Sequence, residues 1–293
     1  MKLGGLEKDD KTQALKLFLV DYAVADGSTN MACDEAMMDL VAPGCIGLRF
    51  YGWDPWCISL GRNQRAPDNL RAQSSSRFTV GVDIVRRPTG GRSVYHGPEI
   101  TYAFVCSDRT LGGPRASYQR LHAALAHGLT ELGVHLDPWQ SDKSGPQMDT
   151  RSLAPGPMGC FRDPAPGELT AGGRKLVGSA QWRHRNTLLQ HGSILLRDRQ
   201  DQADLLSHGY GDKLTGANSS AIGLEDLLDP IPPIEQIVAV LTEAIVTGLG
   251  ANREPATLEQ ASVKKLATIY RSDAWQWRRE SHREELTCTE QFT

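Results

Sequence analysis

An arginine- and glycine-rich segment is the first part of the chain whose residue types suit chemistry. It reads RRPTGGR from Arg86 to Arg92 and lies between two strand patterns. A Gly-Gly turn lets backbone N–H groups approach an anion, and guanidinium groups neutralise its charge. The composition suits a phosphate or a phosphopantetheine linker, with a tight β-turn carrying surface arginines as the alternative. The strand pattern that follows has His96 and Glu99 at its breaks, where His96 could be structural or catalytic.

The second segment is a glycine turn followed by a strand of small residues, GGRKLVGSAQ from Gly172 to Gln181. Strand alternation puts Lys175 and Ser179 on one face. Gly178 and Ala180 have too little bulk to fill the space beside them, which leaves room for a ligand. The pattern predicts a lysine pointing along a ligand-binding surface, and an edge-strand lysine placed for solubility is the alternative.

A third segment, LLQHGSILL from Leu188 to Leu196, also alternates like a strand. His191 and Ser193 fall on the same face of it. Two residues spaced in this way along one strand do not readily form a hydrolytic dyad, and the chain has no G-x-S-x-G elbow. The segment therefore does not predict a hydrolase of the α/β type.

The chain has six cysteines and no C-x-x-C pair, which argues against a disulfide framework and against a zinc knuckle. Most of them stand in apolar contexts where cysteine behaves as a small hydrophobic residue, and these are expected in the core: Cys33, Cys45, Cys57 and Cys106. Cys288 lies in a polar tail and is expected to be exposed. Cys160 follows a long segment rich in proline and glycine, Asp137 to Gly159, and needs a separate explanation.

Composition excludes several classes of protein. The 293 residues are 40% hydrophobic and 23% charged, which is typical of a folded globular protein. A formal net charge of -3 lacks the basic excess that nucleic-acid binding needs, so no nucleic-acid partner is expected. No apolar run reaches the roughly 18 residues of a membrane span, and the charged N-terminus does not resemble a secretory signal. We expect no membrane association and a cytoplasmic protein.

Strand and helix patterns alternate irregularly along the chain. Alternation predicts strands at Lys16–Val20, Ile46–Tyr51, Cys57–Leu60, Val82–Arg86, Ser93–Cys106, Arg174–Gln181 and Leu188–Leu196. Helical periodicity predicts helices from an Asn30 cap to Leu40, from Tyr118 to Gly133, after Pro233 and over Leu258–Tyr270. This order predicts an α+β fold on a mostly antiparallel sheet rather than a doubly wound one. Residues 1–250 are expected to form the main domain and 251–293 a short helical extension packed on it.

Together the runs RRPTGGRSVYHGPEITY, GGRKLVGSAQ and LLQHGSILL, in this order, resemble the lipoate and octanoate attachment family of the biotin and lipoate protein ligase superfamily. The resemblance implies a large curved sheet, flanked by helices, that holds an acyl chain beside the strand lysine. It also implies that Lys175 contacts the acyl carbonyl or a phosphate. The implied substrate-binding residues are Arg87, Thr89, Gly90, Gly91, Arg92, His96, Gly178, Ser179, Ala180 and His191.

Within that family the cysteine loop GCFRDPAPGEL, from Gly159 to Leu169, is similar to that of the LipM-type octanoyltransferases. These enzymes work without ATP and pass the acyl group through a cysteine thioester, which implies that Cys160 is the nucleophile and Lys175 its catalytic partner. ATP-dependent lipoate ligases resemble the chain too, but usually have glycine at Arg92 and asparagine at Glu99; that alternative would require ATP and Mg. An octanoyl or lipoyl amidotransferase and a non-catalytic acyl-binding protein are further alternatives.

The resemblance also implies the partners, an octanoyl-acyl carrier protein as donor and a lipoyl-domain protein, of the glycine cleavage H type, as acceptor. No cofactor or metal is expected. Attack on the donor needs a thiolate, which a nearby cation such as Lys175 favours. Lys175 or His96 could then accept the proton of the acceptor lysine. A basic rim around the cradle is expected to attract an acidic carrier and comprises Arg86, Arg87, Arg92, Arg183 and Arg185.

Overall fold

The computed structural model describes residues 14–66, 70, 81–138, 161, 167–202 and 220–279. Its strands are β1 Leu15–Ala25, β2 Cys45–Trp53, β3 Cys57–Leu60, β4 Asp83–Arg86, β5 Val94–His96, β6 Glu99–Ser107, β7 Leu169–Ala171, β8 Arg174–His184, β9 Thr187–Leu195 and β10 Ala251–Ala256. Its α-helices are α1 Gly27–Ala36, α2 Pro114–Glu131, α3 Ile234–Leu249, α4 Gln260–Tyr270 and α5 Asp273–Gln276. Two short 3-10 helices cover Met37–Leu40 and Leu224–Asp226.

Most of the strands belong to one seven-stranded sheet with the order β10-β1-β2-β6-β9-β8-β7. The pairs β10-β1 and β1-β2 are parallel, and the pairs β2-β6, β6-β9, β9-β8 and β8-β7 are antiparallel. The remaining strands form a small sheet with the order β4-β3-β5. The predicted α+β fold with a large, mostly antiparallel sheet flanked by helices is confirmed.

Helices cover both faces of the large sheet. Successive residues of β6 point to opposite faces, and Phe104 belongs to one buried cluster while Val105 belongs to another. The Phe104 cluster includes Leu125 of α2 and Leu241 of α3. Those two helices approach closely at Gly128, where a Cβ atom would lie 3.0 Å from the Cβ of Ala244. None of the helices in the described ranges is both long and apolar enough to span a membrane.

The second face of the sheet is covered by α1 and α4, which join distant parts of the chain. Tyr270 at the end of α4 donates a hydrogen bond of 2.6 Å to Glu35 of α1. In α5, Trp275 Nε1 donates to the carbonyl of Arg86, and Gln276 Nε2 donates to the carbonyl of Ile84. The segment after residue 250 thus supplies an edge strand, β10, and helices that bind α1 and β4. Residues 280–293 of the predicted extension lie outside the described residues.

Two predicted element boundaries are wrong. Helix α1 is capped by Asp26, whose carboxylate accepts from Thr29 N at 2.7 Å, because the Asn30 side chain instead donates to the carbonyls of Ala25 and Gly52. The strand expected over Ser93–Cys106 is two strands. Its halves β5 and β6 pair in different sheets on either side of Gly97 and Pro98.

Candidate active site

A cavity lies where the small sheet and α1 meet the large sheet. Apolar and aromatic side chains line it together with a few polar groups, as in small-molecule binding sites. The lining residues come from α1, from strands of both sheets and from the cysteine loop: Met31, Tyr51, Trp53, Ser59, Arg87, Val94, His96, Thr101, Phe161, Gly178, Ser179, Ala180, His191, Gly192 and Ser193. The cavity therefore joins all three segments that the sequence singled out.

One wall of the cavity consists of small residues on two neighbouring strands. Gly178 and Ser179 of β8 pair in register with Ser193 and Gly192 of β9. The backbones approach so closely that a Cβ atom on Gly192 would lie 2.6 Å from the carbonyl oxygen of Gly178. Larger side chains here would close the cavity, so the prediction that this strand leaves room beside it agrees with the geometry.

The arginine and glycine loop supports the cavity mostly from behind. Of its predicted binding residues only Arg87 reaches the lining. The Arg87 guanidinium donates to the carbonyls of Gly90 and Arg92, both at 2.7 Å, and to Thr89 Oγ1 at 3.1 Å. Thr89, Gly90, Gly91 and Arg92 are absent from the described lining, and these hydrogen bonds show that three of them position Arg87 instead.

The predicted basic rim is wrong for two of its arginines. Arg86 and Arg87 are buried, with exposed fractions of 0% and 4%. Arg86 donates to the carbonyls of Gln64 and Gln276, and burial lowers its pKa to about 9, assisted by the nearby Arg279. Arg183, more than half exposed, is paired with Asp108 at 2.6 Å. Backbone carbonyls within the described part of the chain accept hydrogen bonds from both buried guanidinium groups.

His191 is fixed by a buried polar group that the sequence reasoning missed. Its Nδ1 lies 3.0 Å from Asp34 Oδ2, and its Nε2 lies 2.6 Å from Thr89 Oγ1. Asp34 also forms a buried ion pair with Arg49 at 3.0 Å. Burial lowers the pKa of His191, and the Asp34 carboxylate opposes that shift. One feature of the sequence could have revealed Asp34 as a buried polar residue: it lies four residues after Asn30, on the same face of a helix.

His96 is held in a second buried polar group that also lines the cavity. Its Nδ1 lies 2.7 Å from Glu99 Oε1, and its Nε2 lies 2.7 Å from Ser59 Oγ. The imidazole stacks on Trp53 at 4.0 Å between ring centroids. Thr101 links the two, because it accepts from Trp53 Nε1 and donates to Glu99. The histidine is therefore fixed in orientation with its carboxylate partner behind it.

Lys175 is buried, with an exposed fraction of 1%, which excludes the alternative of a solubilising edge lysine. Its ammonium pairs with the Glu168 carboxylate and lies 4.8 Å from the centre of the Phe161 ring. A buried ammonium needs such a partner, because desolvation would otherwise favour the neutral amine. Glu168 stands in the cysteine loop motif, but its sequence position alone did not assign it to Lys175.

Cys160 lies outside the described residues, and its neighbour Phe161 is described. Phe161 is 2% exposed, lines the cavity and packs on Gly178, where a Cβ atom would lie 2.8 Å from the ring. The four described cysteines are absent from the lining. Burial raises the pKa of the Cys33 and Cys57 thiols, and raises that of Cys106 to about 11. Buried thiols of this kind are weak nucleophiles.

A chain of hydrogen bonds connects the small-residue wall to the segment before β7. The carbonyl of Gly167 only accepts, so His122 Nδ1 must donate to it, at 3.0 Å. His122 Nε2 then accepts from the Ser179 hydroxyl at 2.9 Å, and Ser179 accepts from the Tyr102 hydroxyl at 2.7 Å. His122 thereby ties the residue before Glu168 to the wall of the cavity. The sequence feature that could have indicated a buried histidine is the position of His122 within the apolar stripe of α2.

This role of His122 predicts a pH dependence of stability. Burial lowers the pKa of His122 to about 3, whereas an unfolded histidine titrates near 6.5. Between these values the unfolded chain binds one more proton, so the free energy of unfolding must fall as the pH falls below about 6.5. The loss from this group is about 2 kcal/mol at pH 5. His191 contributes in the same direction.

The matched variants are His122→Gln and His127→Gln, on the same helix. The His127 side chain is 62% exposed. Urea unfolding at pH 5 and pH 8 should show a smaller pH dependence in His122→Gln than in the wild type, and an unchanged one in His127→Gln. An equal pH dependence in all three proteins would contradict the assignment.

Similarity to solved structures identifies the fold as that of lipoate protein ligases. A bi-partite lipoate protein ligase from Thermoplasma acidophilum, described with its E2 lipoyl domain, superposes with a TM-score of 0.67, covering 92% of this chain and 98% of that chain at 17% identity. A lipoate-protein ligase A bound with ATP gives a TM-score of 0.63, covering 89% and 98% at 19% identity. Residues 26–246 match the lipoyl protein ligase A/B catalytic domain, and the chain belongs to that family.

More similar relatives carry a narrower name. An octanoyltransferase LipM from Kyrpidia tusciae is 37% identical over 264 residues, which is 85% of this chain and 94% of the relative. The octanoyltransferase LipM of Bacillus subtilis is 31% identical over 274 residues, 89% of this chain and 97% of the relative. The predicted resemblance to the LipM-type branch is confirmed. Within the described residues, His, Cys, Asp and Glu side chains do not gather in groups that could hold a metal ion.

Proposed function

We propose that the protein is an octanoyltransferase of protein lipoylation, which moves an octanoyl group from an acyl carrier protein to a lysine of a lipoyl-domain protein. Its relatives named octanoyltransferase LipM support this activity. One observation carries the chemistry: Phe161, the residue bonded to Cys160, lines the cavity beside Gly178, and the Lys175 ammonium, which is not part of the described lining, lies 4.8 Å from the centre of its ring. The proposed nucleophile is Cys160, and the intermediate is its octanoyl thioester.

The energetics of acyl transfer support a cysteine intermediate. The donor is already a thioester, so transfer to the Cys160 thiolate exchanges one thioester for another and needs no ATP. The covalent intermediate divides the whole transfer into two easier steps. In the first, the thiolate attacks the donor carbonyl and the carrier thiol leaves; in the second, the acceptor amine attacks and the Cys160 thiolate leaves.

Lys175 is proposed to act through its charge rather than as a base. Paired with Glu168, the lysine is held as an ammonium and has no lone pair to accept a proton. A cation in this buried position favours the thiolate and the oxyanion of the tetrahedral intermediates. His96, whose Nδ1 lies 2.7 Å from the Glu99 carboxylate, is therefore the proposed acceptor of the proton from the incoming lysine.

The proposal is tested by transfer without a nucleotide. The protein is incubated with octanoyl-acyl carrier protein and an apo lipoyl domain of the glycine cleavage H type, with EDTA and without ATP, and the lipoyl domain is weighed by mass spectrometry. Octanoylation of one lysine is expected. A protein that modifies the domain only when given free octanoate or lipoate with ATP and Mg would be a ligase. A protein that takes octanoyl from an octanoylated H protein and transfers it to another lipoyl domain, but never takes it from the carrier, would be an amidotransferase.

A further inference from the structure

Ser59, His96 and Glu99 form a line of hydrogen bonds at the cavity that the transfer chemistry does not use in full. Ser59 comes from β3, His96 ends β5 and Glu99 begins β6. The distances are 2.7 Å from Ser59 Oγ to His96 Nε2 and 2.7 Å from His96 Nδ1 to Glu99 Oε1. The turn at Gly97 and Pro98, which divides the predicted long strand, brings the histidine and the carboxylate together. No role in the transfer reaction has been given to the serine.

The neighbours of these groups are compatible with one direction for each hydrogen bond. Arg87 can only donate, and its Nη1 lies 3.1 Å from Ser59 Oγ, so that oxygen accepts from it. When the imidazole of His96 carries its hydrogen on Nδ1, Nε2 has a lone pair and accepts the serine hydrogen. Glu99 Oε1 already accepts from the Thr101 and Ser193 hydroxyls, at 2.6 Å and 2.8 Å, and so accepts from His96 Nδ1 as well. This is the proton arrangement of a serine, histidine and carboxylate triad.

The unused oxygen of Glu99 is a second, independent observation. Glu99 is 4% exposed, and its Oε2 is buried without a hydrogen-bond partner among the described residues. A carboxylate kept only for structure would be expected to satisfy both oxygens. Here three donors converge on Oε1 alone, which aligns that oxygen with the His96 ring.

The same groups face the space that an acyl chain would occupy. Ser59 and His96 line the cavity together with Gly178 and Ser193. Ser193 Oγ is 3.4 Å from His96 Nδ1, and Ser193 pairs in register with Gly178 of the small-residue wall. A chain lying along that wall therefore passes next to Ser59. Since the residue is 0% exposed, an acyl group on it would be shielded from bulk water.

We propose that Ser59, His96 and Glu99 are a second nucleophilic site, which takes the acyl group of a medium-chain ester or thioester and hydrolyses it. Ser59 Oγ bonds to the acyl carbon as its proton passes to His96 Nε2, and the Arg87 guanidinium beside Oγ stabilises the negative charge that develops. The imidazolium returns the proton to the departing alcohol or thiol as that bond breaks. Water, deprotonated by His96, then releases the fatty acid and restores the serine.

The test removes the proposed transfer nucleophile and supplies p-nitrophenyl octanoate. Because Ser59 is shielded from water, the Cys160→Ala protein is expected to release one equivalent of nitrophenolate in a burst and then turn over slowly. Mass spectrometry of the quenched protein should place an octanoyl ester on the peptide that contains Ser59. Adding Ser59→Ala is expected to lower the steady rate about 100-fold, and adding His96→Gln should do the same. Ser117→Ala, which removes another buried serine hydroxyl, is the matched control.

Peptide mapping decides the proposal even where a variant fails to fold. Octanoyl on Ser59, with the rate lost in Ser59→Ala and kept in Ser117→Ala, supports it. Octanoyl on another residue, no hydrolysis above buffer by Cys160→Ala, or an unchanged rate in a folded Ser59→Ala protein overturns it. None of these results depends on the carrier protein. The transferase proposal can therefore fail while the serine site is supported, and the serine site can fail while the transferase proposal is supported.

Discussion

Replacing Cys160 by alanine is expected to abolish octanoyl transfer, with a fall in rate of about 1,000-fold or more. The second half-reaction has no substrate without the thioester, so loss of the nucleophile affects both steps. The wild-type protein, mixed with octanoyl-acyl carrier protein alone, should carry one octanoyl group that hydroxylamine removes, and peptide mapping should place it on Cys160.

The control is Cys33→Ala, since burial raises the pKa of that thiol and the residue is absent from the cavity lining. It should keep both the adduct and the transfer rate. A Cys160→Ala protein that transfers octanoyl at the full rate would eliminate the thioester intermediate. The triad proposed at Ser59 does not rescue transfer in this variant, because it leads to hydrolysis rather than to the acceptor lysine.

The spacing of apolar and small residues predicted those strands and helices whose pattern follows directly from local packing. The segment GGRKLVGSAQ could be predicted as a strand beside a ligand because its small residues leave space. The structure adds that small residues are also needed for the close approach of Gly192 to β8. The apolar stripes of α2 and α3 were likewise predicted, since each buries one face against the sheet. Both inferences use only local sequence and the need to bury apolar surface.

Features that depend on contacts between distant segments could not be predicted in this way. The sequence ANREPA of β10 has no strand alternation, and it is a strand because β1 offers a free edge to it. The strand pattern breaks at His96 and Glu99, but a break alone does not indicate that β5 and β6 enter different sheets.

The arginines illustrate the same limit for the site. Charge suggested an exposed rim, but Arg86 donates to a carbonyl of α5, about 190 positions further along the chain. Glu168 and Lys175 are close in sequence, yet their pairing depends on the hairpin that joins β7 to β8. Residue types therefore located the cavity, while the partners that set its electrostatics required the folded chain.

The second large effect is expected from Lys175→Met, which keeps the unbranched side chain up to its fourth atom and removes the charged ammonium. Transfer should fall by about 1,000-fold, because the thiolate and the oxyanion lose the cation that stabilises them. The stability should fall as well. The side chains of Lys175 and Glu168 are 2% and 9% exposed, and removing one member of such a buried pair costs about 3–5 kcal/mol.

The double variant Lys175→Met/Glu168→Gln separates the two effects. With both charges gone no buried carboxylate is left facing an apolar side chain, so urea unfolding should show most of the lost stability regained. Single-turnover transfer from octanoyl-acyl carrier protein should nevertheless stay as low as in Lys175→Met, because the ammonium is still absent. If the double variant recovered transfer together with stability, Lys175 would be needed only to neutralise Glu168. Recovery of stability without transfer would mean that Glu168 holds the lysine in place and that the charge of Lys175 serves the reaction.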